Sequence, residues 1–162
     1  MLVDDETWTF DKSWWDDRWG SIHEAGHAVV ARHFGLTIEC VTMQFVRIPP
    51  LRYRAADDRN SRECLIVSAA GDAATTLLLR WTDTDRADKE RSRRRLQALG
   101  ADAITAAYLM TQARRDAEQL VQILDREIIT VASALRERRR LSMDEIDAAI
   151  AGSWRAVAAG TS

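Results

Sequence analysis

The stretch that decides the fold is SIHEAGHAVVARHFG, residues 21–35, which lies inside a longer segment with helical spacing. From Trp14 to Phe34 the apolar residues recur at helical intervals, and Gly35 stands where a glycine commonly ends a helix. The pattern therefore predicts one long helix over residues 14–34.

Outside this helix the pattern predicts more helices and one small β element. Residues 36–48 are rich in β-branched side chains and are followed by Pro49-Pro50, which indicates one or two strands. Further helices are expected over residues 62–80, from about residue 90 to Leu99, over 101–140 as one bent helix or two packed ones, and from the capping box at Ser142 to about Ala158. The expected fold class is mainly α, a single α-helical domain with a small β element after the first helix.

With 162 residues the chain has room for one domain, which we place at residues 13–162, after a tryptophan-containing segment over residues 1–12. Lys and Arg number 23 and Asp and Glu 25, so the formal net charge of −2 favours neither nucleic acid nor an anionic membrane. Residues 64–79, the least polar long window, contain Asp72 and fall short of the about 20 apolar residues that a membrane span needs. Two cysteines far apart and no secretory signal predict a cytoplasmic protein.

The first helix carries a metal-binding pattern, because His23-Glu24-Ala25-Gly26-His27 fits H-E-x-x-H. Positions i and i+4 share one face of a helix, so both imidazoles can point at one metal ion, and zinc is the metal that takes this pattern. Glu24 is offset so that it meets a water molecule at the metal, where it can act as a general base. The pattern predicts a zinc site with His23 and His27 as ligands and Glu24 as the catalytic base.

A third histidine, His33, lies six residues after His27. In a continuous helix this separation turns its side chain about 120° away from that of His27. We therefore expect His33 to be a helix-end residue and not a metal ligand. A catalytic zinc site needs a third protein ligand, and the residues by themselves leave several carboxylates open for that role, namely Asp72, Asp83, Asp85, Asp88 and Asp102.

The stretch HEAGHAVV, residues 23–30, resembles the zinc-site helix of the FtsH-type peptidase domain. Four later segments are similar to parts of that domain in the same order, namely residues 38–43, 67–74, 100–107 and 135–146. The resemblance implies a zinc metalloendopeptidase, and the order of its segments places Asp102 as the third zinc ligand. Thr75 stands where the family has a glutamate, which is one departure from its pattern.

No phosphate-binding G-x-x-x-x-G-K-[ST] motif occurs in the sequence. The resemblance therefore implies a free-standing peptidase module that cleaves unstructured or partner-delivered polypeptides and does not itself use ATP. The competing hypothesis is a non-proteolytic adaptor or regulatory module that keeps the zinc site as structure. An intact Glu24 argues against the adaptor, since a structural site has no use for a general base.

Four of the six tryptophans lie within the first 20 residues, at Trp8, Trp14, Trp15 and Trp19. They predict either a hydrophobic lid over the zinc helix, which we favour, or a docking patch for an unfoldase or a second copy of the chain. The arginine clusters over residues 91–95 and 136–140 each lie near a helix end beside acids such as Glu90 and Glu137, which indicates solvated helix faces, so nucleic acid is not an expected partner.

Overall fold

Helix α1, Asp17–His33, lies at the centre of the domain, and every residue from Trp19 to Ala31 is buried. The computed structural model describes residues 17–44, 46–48, 59–80 and 86–159. The helix ends as predicted at Gly35, whose φ of 72° is left-handed and favours glycine. The N–H of Leu36 there donates to the carbonyl of Ala31 at 3.0 Å. The predicted start at Trp14 and the segment over residues 1–12 lie outside the described residues.

The described residues contain five further helices: α2 Arg59–Leu79, α3 Arg86–Ala98, α4 Ala103–Ile123, α5 Asp125–Arg138 and α6 Met143–Ala159. The region predicted as one bent helix or two is two, with the break at Leu124. The capping box opens α6 as expected, because the N–H of Ser142 donates to Glu145 and the N–H of Glu145 donates to Ser142 Oγ. The fold is a single mainly-α domain. Among the helices the structure describes, none combines the length and apolar character needed to cross a bilayer.

The small β element has three short strands, β1 Cys40–Thr42, β2 Val46–Arg47 and β3 Arg140–Leu141. They form one antiparallel sheet in the order β2-β1-β3, in which Val41 is opposite both Val46 and Leu141. Strands β1 and β2 come from the region predicted to be extended. Strand β3 has no sequence prediction behind it, and it joins the sheet by long-range pairing.

Helices α1 and α2 cross very closely at Gly26. A Cβ atom at Gly26 would lie 2.7 Å from the carbonyl oxygen of Ala70 and 2.8 Å from Cβ of Ala74. The interior glycine of the H-E-x-x-H stretch therefore allows close packing against the small-residue face of α2. This packing fixes the histidine-bearing face of α1 against the middle of α2.

Helix α3 has a mostly polar surface and a narrow buried face. Among its described side chains, Asp88, Ser92 and Leu96 are the buried ones, at positions i, i+4 and i+8. Three buried residues at this spacing form one stripe along the helix. Leu96 is the one large apolar side chain in the stripe, so α3 docks through Leu96 at one end and through a carboxylate at the other.

Candidate metal centre

Three potential ligand atoms meet in the core of the domain. The Nε2 atoms of His23 and His27 are 3.0 Å apart, and Asp88 Oδ2 is 3.2 Å from the first and 3.1 Å from the second. Both histidines are fully buried and Asp88 is 2% exposed. The spacing of i and i+4 on α1 brings the two imidazoles together as predicted, and α3 adds the carboxylate.

The donor set and its size fit a zinc ion. Ligand atoms about 2.0–2.1 Å from a tetrahedral zinc are about 3.3–3.4 Å from one another. The observed triangle, with sides of 3.0 to 3.2 Å, is slightly smaller than that. Two imidazoles and one carboxylate are also a ligand set found in catalytic zinc sites. The three residues can therefore hold a zinc ion after small outward shifts of their ligand atoms.

Gly71 on α2 faces the two histidines at very close range. A Cβ atom there would lie 2.4 Å from Nε2 of His27 and 2.7 Å from Nε2 of His23. Only a residue without a side chain leaves this space open, so the ligand atoms point into a cradle that any other residue would fill.

The other ring nitrogen of His27 has a partner that favours metal binding through Nε2. Nδ1 of His27 donates a hydrogen bond to the carbonyl of Val67 at 2.6 Å, which leaves Nε2 with a lone pair. Nδ1 of His23 lies 3.8 Å from Oδ1 of Asp72. Trp19 stacks on the His23 ring at a centroid distance of 4.5 Å. Trp19 belongs to α1 itself, so this is a contact within the helix, and the tryptophan lid stays a prediction because Trp8, Trp14 and Trp15 lie outside the described residues.

Asp88 is oriented by an arginine on its own helix. Arg91 Nη1 donates to Asp88 Oδ1 at 2.9 Å, while Oδ2 faces the histidines. Oδ2 is therefore placed to bind a metal ion, and Oδ1 lies beside the positive charge of Arg91.

Glu24 lies between the two histidines in the sequence, and its side chain is fully buried. It is close enough to His27 for its charge to raise the pKa of that histidine. Burial lowers the pKa of His27, but the charge and hydrogen bond of Asp88, followed by the charge of Glu24, raise it to about 9 in the metal-free protein. Burial would raise the pKa of Asp88, but its contacts with His27 and His23 outweigh burial and hold that pKa well below the usual range. Without a metal, the cluster is a buried ion pair.

The structure corrects the expectation that Asp102 is the third ligand. Asp102 is exposed and caps α4, where its carboxylate accepts a hydrogen bond from the N–H of Thr105 at 2.7 Å. Asp88, one of the other carboxylates that the sequence offered as a third ligand, lies beside the two histidines. The reason is local: Gly100, with φ of 88°, ends α3, and Asp102 begins the next helix.

The remaining candidates are also placed. His33 is exposed at the end of α1, with its ring against that of Phe34, as expected for a helix-end residue. Asp72 lies behind His23, and Asp83 and Asp85 lie outside the described residues. Thr75 donates its hydroxyl to backbone carbonyls of its own helix, Gly71 at 3.2 Å and Asp72 at 3.1 Å. The hydroxyl of Thr75 is therefore satisfied within α2.

No protein-family model matches the chain, and no curated protein matches it.

Replacing Gly71 by alanine should abolish metal binding. The added Cβ would overlap the Nε2 atoms of both histidines, and neither of these fully buried rings can shift freely. We expect Gly71→Ala to lose zinc in equilibrium dialysis followed by metal analysis. The matched control is Gly152→Ala on α6, where a Cβ would have no neighbour within 4 Å among the residues that the structure describes. Unchanged zinc affinity in Gly71→Ala would show that no zinc ion binds between Gly71 and the Nε2 atoms of the two histidines.

The metal-free protein should lose stability on both sides of a window of mildly acidic pH. Because the pKa of His27 is raised to about 9, its contribution is complete below the unfolded value of about 6.5 and declines as pH rises through 9. Because the pKa of Asp88 is lowered, its contribution is present above about pH 4 and declines below it. Melting temperatures measured with a chelator should therefore be highest between about pH 4 and 6.5. His33→Ala should leave this profile unchanged, whereas a profile that is flat from pH 6 to 10 would exclude the charged pair.

Proposed function

We propose that the protein is a zinc-dependent metalloendopeptidase that hydrolyses peptide bonds of unstructured or partner-delivered polypeptides. The observation that carries the proposal is the convergence of His23 Nε2, His27 Nε2 and Asp88 Oδ2 within 3.2 Å of one another, with Glu24 buried on the same helix. Three protein ligands leave one position of a tetrahedral ion open, which is the arrangement of catalytic zinc. The resemblance of residues 23–30 to FtsH-type peptidases supports the same reaction class.

The chain's own residues divide the work of the reaction. His23, His27 and Asp88 would hold the zinc, which when bound supplies a Lewis acid at the substrate carbonyl and makes water more acidic. Glu24 takes the proton of the attacking water and delivers it to the nitrogen of the leaving amine. Val67 fixes the tautomer of His27 through the bond to Nδ1, and Arg91 orients Asp88.

The substrate reaches this site only as a flexible chain. A folded domain exposes an extended stretch of its chain only by opening, and because every member of the cluster is at most 2% exposed, this protein must open as well to admit that stretch. The sequence contains no phosphate-binding motif of the G-x-x-x-x-G-K-[ST] type, and we propose that cleavage is independent of ATP.

The direct test is cleavage of casein by the purified full chain. We expect cleavage that a chelator stops, that zinc restores and that ATP does not accelerate, while a stable folded reporter survives. Bound zinc without cleavage of any unstructured polypeptide would favour the second candidate, a zinc-containing adaptor. The complete burial of His23, Glu24 and His27 is the observation that suits that candidate.

A further inference from the structure

A cavity of about 210 Å³ lies directly beside the metal centre, between helices α2, α3 and α4. Asp88 belongs to both: its Oδ2 faces the histidines, and the residue also lines the cavity. Asp72, whose Oδ1 is 3.8 Å from Nδ1 of His23, lines the cavity as well. The two histidines do not line the cavity, but Asp88, whose Oδ2 is 3.2 and 3.1 Å from their Nε2 atoms, separates them from it by the width of one side chain. Consecutive residues of a peptide are about 3.8 Å apart, which is a spacing of the same order.

The volume of the cavity suits a single side chain. About 210 Å³ is several times the roughly 30 Å³ share of one water molecule and below the roughly 300–1,000 Å³ of pockets for whole small molecules. Its apolar wall comes from Leu65 and Ala69 on α2 and from Met110 and Ala113 on α4. An apolar group of moderate size therefore gains the most from entering it.

The charged residues that line the cavity carry both signs. Lys89 and Arg114 would attract an acidic side chain and repel a basic one, whereas Asp72 and Asp88 would do the reverse. Because the two signs oppose each other and burying an ionised side chain costs free energy, an uncharged side chain fits the cavity better.

One polar group in the wall is available for a ligand. Ser68 lines the cavity and is 4% exposed, and its Oγ has no hydrogen-bond partner among the residues that the structure describes. A buried hydroxyl without a partner destabilises a fold, so an incoming group that bonds to it gains affinity. Peptide N–H and C=O groups are the polar groups that accompany an apolar side chain.

We propose that this cavity is the specificity pocket of the chain and receives a leucine or methionine side chain of the residue adjoining the scissile bond. The assignment rests on the proposed peptidase function. Ser68 then bonds to the substrate backbone, and Leu65, Ala69, Met110 and Ala113 contact the side chain. Such a pocket should favour leucine over glycine about 10- to 100-fold in kcat/KM.

The first test compares two phenylalanine variants on α4. Thr111 lines the cavity from an exposed position, so Thr111→Phe should block it without disturbing the core, whereas Ala107→Phe lies on an exposed part of the same helix away from the lining. With a peptide mixture as substrate, Thr111→Phe should reduce cleavage next to leucine at least tenfold and retain wild-type zinc content. Ala107→Phe should leave cleavage unchanged. Equal preference for leucine and glycine, or an identical effect of both variants, would overturn the proposal and leave the peptidase function standing.

The second test measures binding without turnover. N-acetyl-leucinamide added to the purified full chain should give saturable NMR shift changes at residues lining the cavity, and N-acetyl-glycinamide should not. Ser68→Ala should weaken this binding while the melting temperature of the free protein stays the same or rises, because the variant removes an unsatisfied hydroxyl. Saturable binding that Thr111→Phe abolishes, without any peptide cleavage, would support the pocket and overturn the peptidase. No shift at the lining residues would overturn the pocket.

Discussion

Glu24→Gln is expected to keep its zinc and to lose about 10²- to 10⁴-fold in peptide hydrolysis, the usual contribution of a general base. The variant keeps the size of a side chain that is fully buried on α1 but cannot accept the proton of water. Zinc content by metal analysis and casein cleavage, measured on the same preparation, separate the two effects.

The control for this variant is His27→Ala, which should lose the metal and the activity together. Full activity of Glu24→Gln would exclude the proposed chemistry. If Glu24→Gln lost zinc as severely as His27→Ala, Glu24 would instead be a structural member of the cluster.

Asp88→Asn should weaken zinc binding by at least ten- to hundredfold, because it neutralises a ligand oxygen that lies 3.1 and 3.2 Å from the two histidines. The metal-free variant should also be less stable, since the buried His27 loses its counter-charge. Competition with a chromogenic chelator gives the affinity, and thermal unfolding with a chelator gives the stability.

The same substitution at Asp102 is the matched control. Asparagine is as good a helix cap as aspartate, so Asp102→Asn should preserve both the cap of α4 and the affinity for zinc. Normal zinc occupancy in Asp88→Asn together with loss in Asp102→Asn would return the third ligand to Asp102.

Local patterns in the sequence predicted much of this structure. The stop of α1 at Gly35, the break at Gly100 and the capping box at Ser142 each depend on residues within about five positions of one another, and each prediction is confirmed. The meeting of His23 and His27 depends only on the period of one helix. The mainly-α fold class follows from the same local patterns.

Long-range pairings could not be obtained in this way. Strand β3 pairs with β1 across about 100 residues, from Leu141 to Val41, and two residues carry too little pattern to predict it. Asp88 meets His23 across 65 positions. Local sequence does not show which of several aspartates makes such a long-range contact.

A weaker signal did mark Asp88. The basic helix α3 has two uncharged residues four positions apart on one face, Ser92 and Leu96. The next position on that face toward the N-terminus, four residues before Ser92, is Asp88. An acid on the buried face of a helix needs a partner inside the protein. Asp102 instead follows the glycine that ends α3, a position where an aspartate serves as the cap of the next helix.

The narrow buried stripe of α3 links metal retention to the attachment of a whole helix. A 13-residue helix is marginal by itself, and here its docking depends on Leu96 and on the end that carries Asp88. If the proposed zinc is bound, it joins α1 to α3 between His27 and Asp88, which are 61 positions apart in the sequence. Release of such an ion and detachment of α3 would then be one cooperative event, and we expect the lifetime of the bound metal to follow the opening of the protein and not the exchange rate of the ligands.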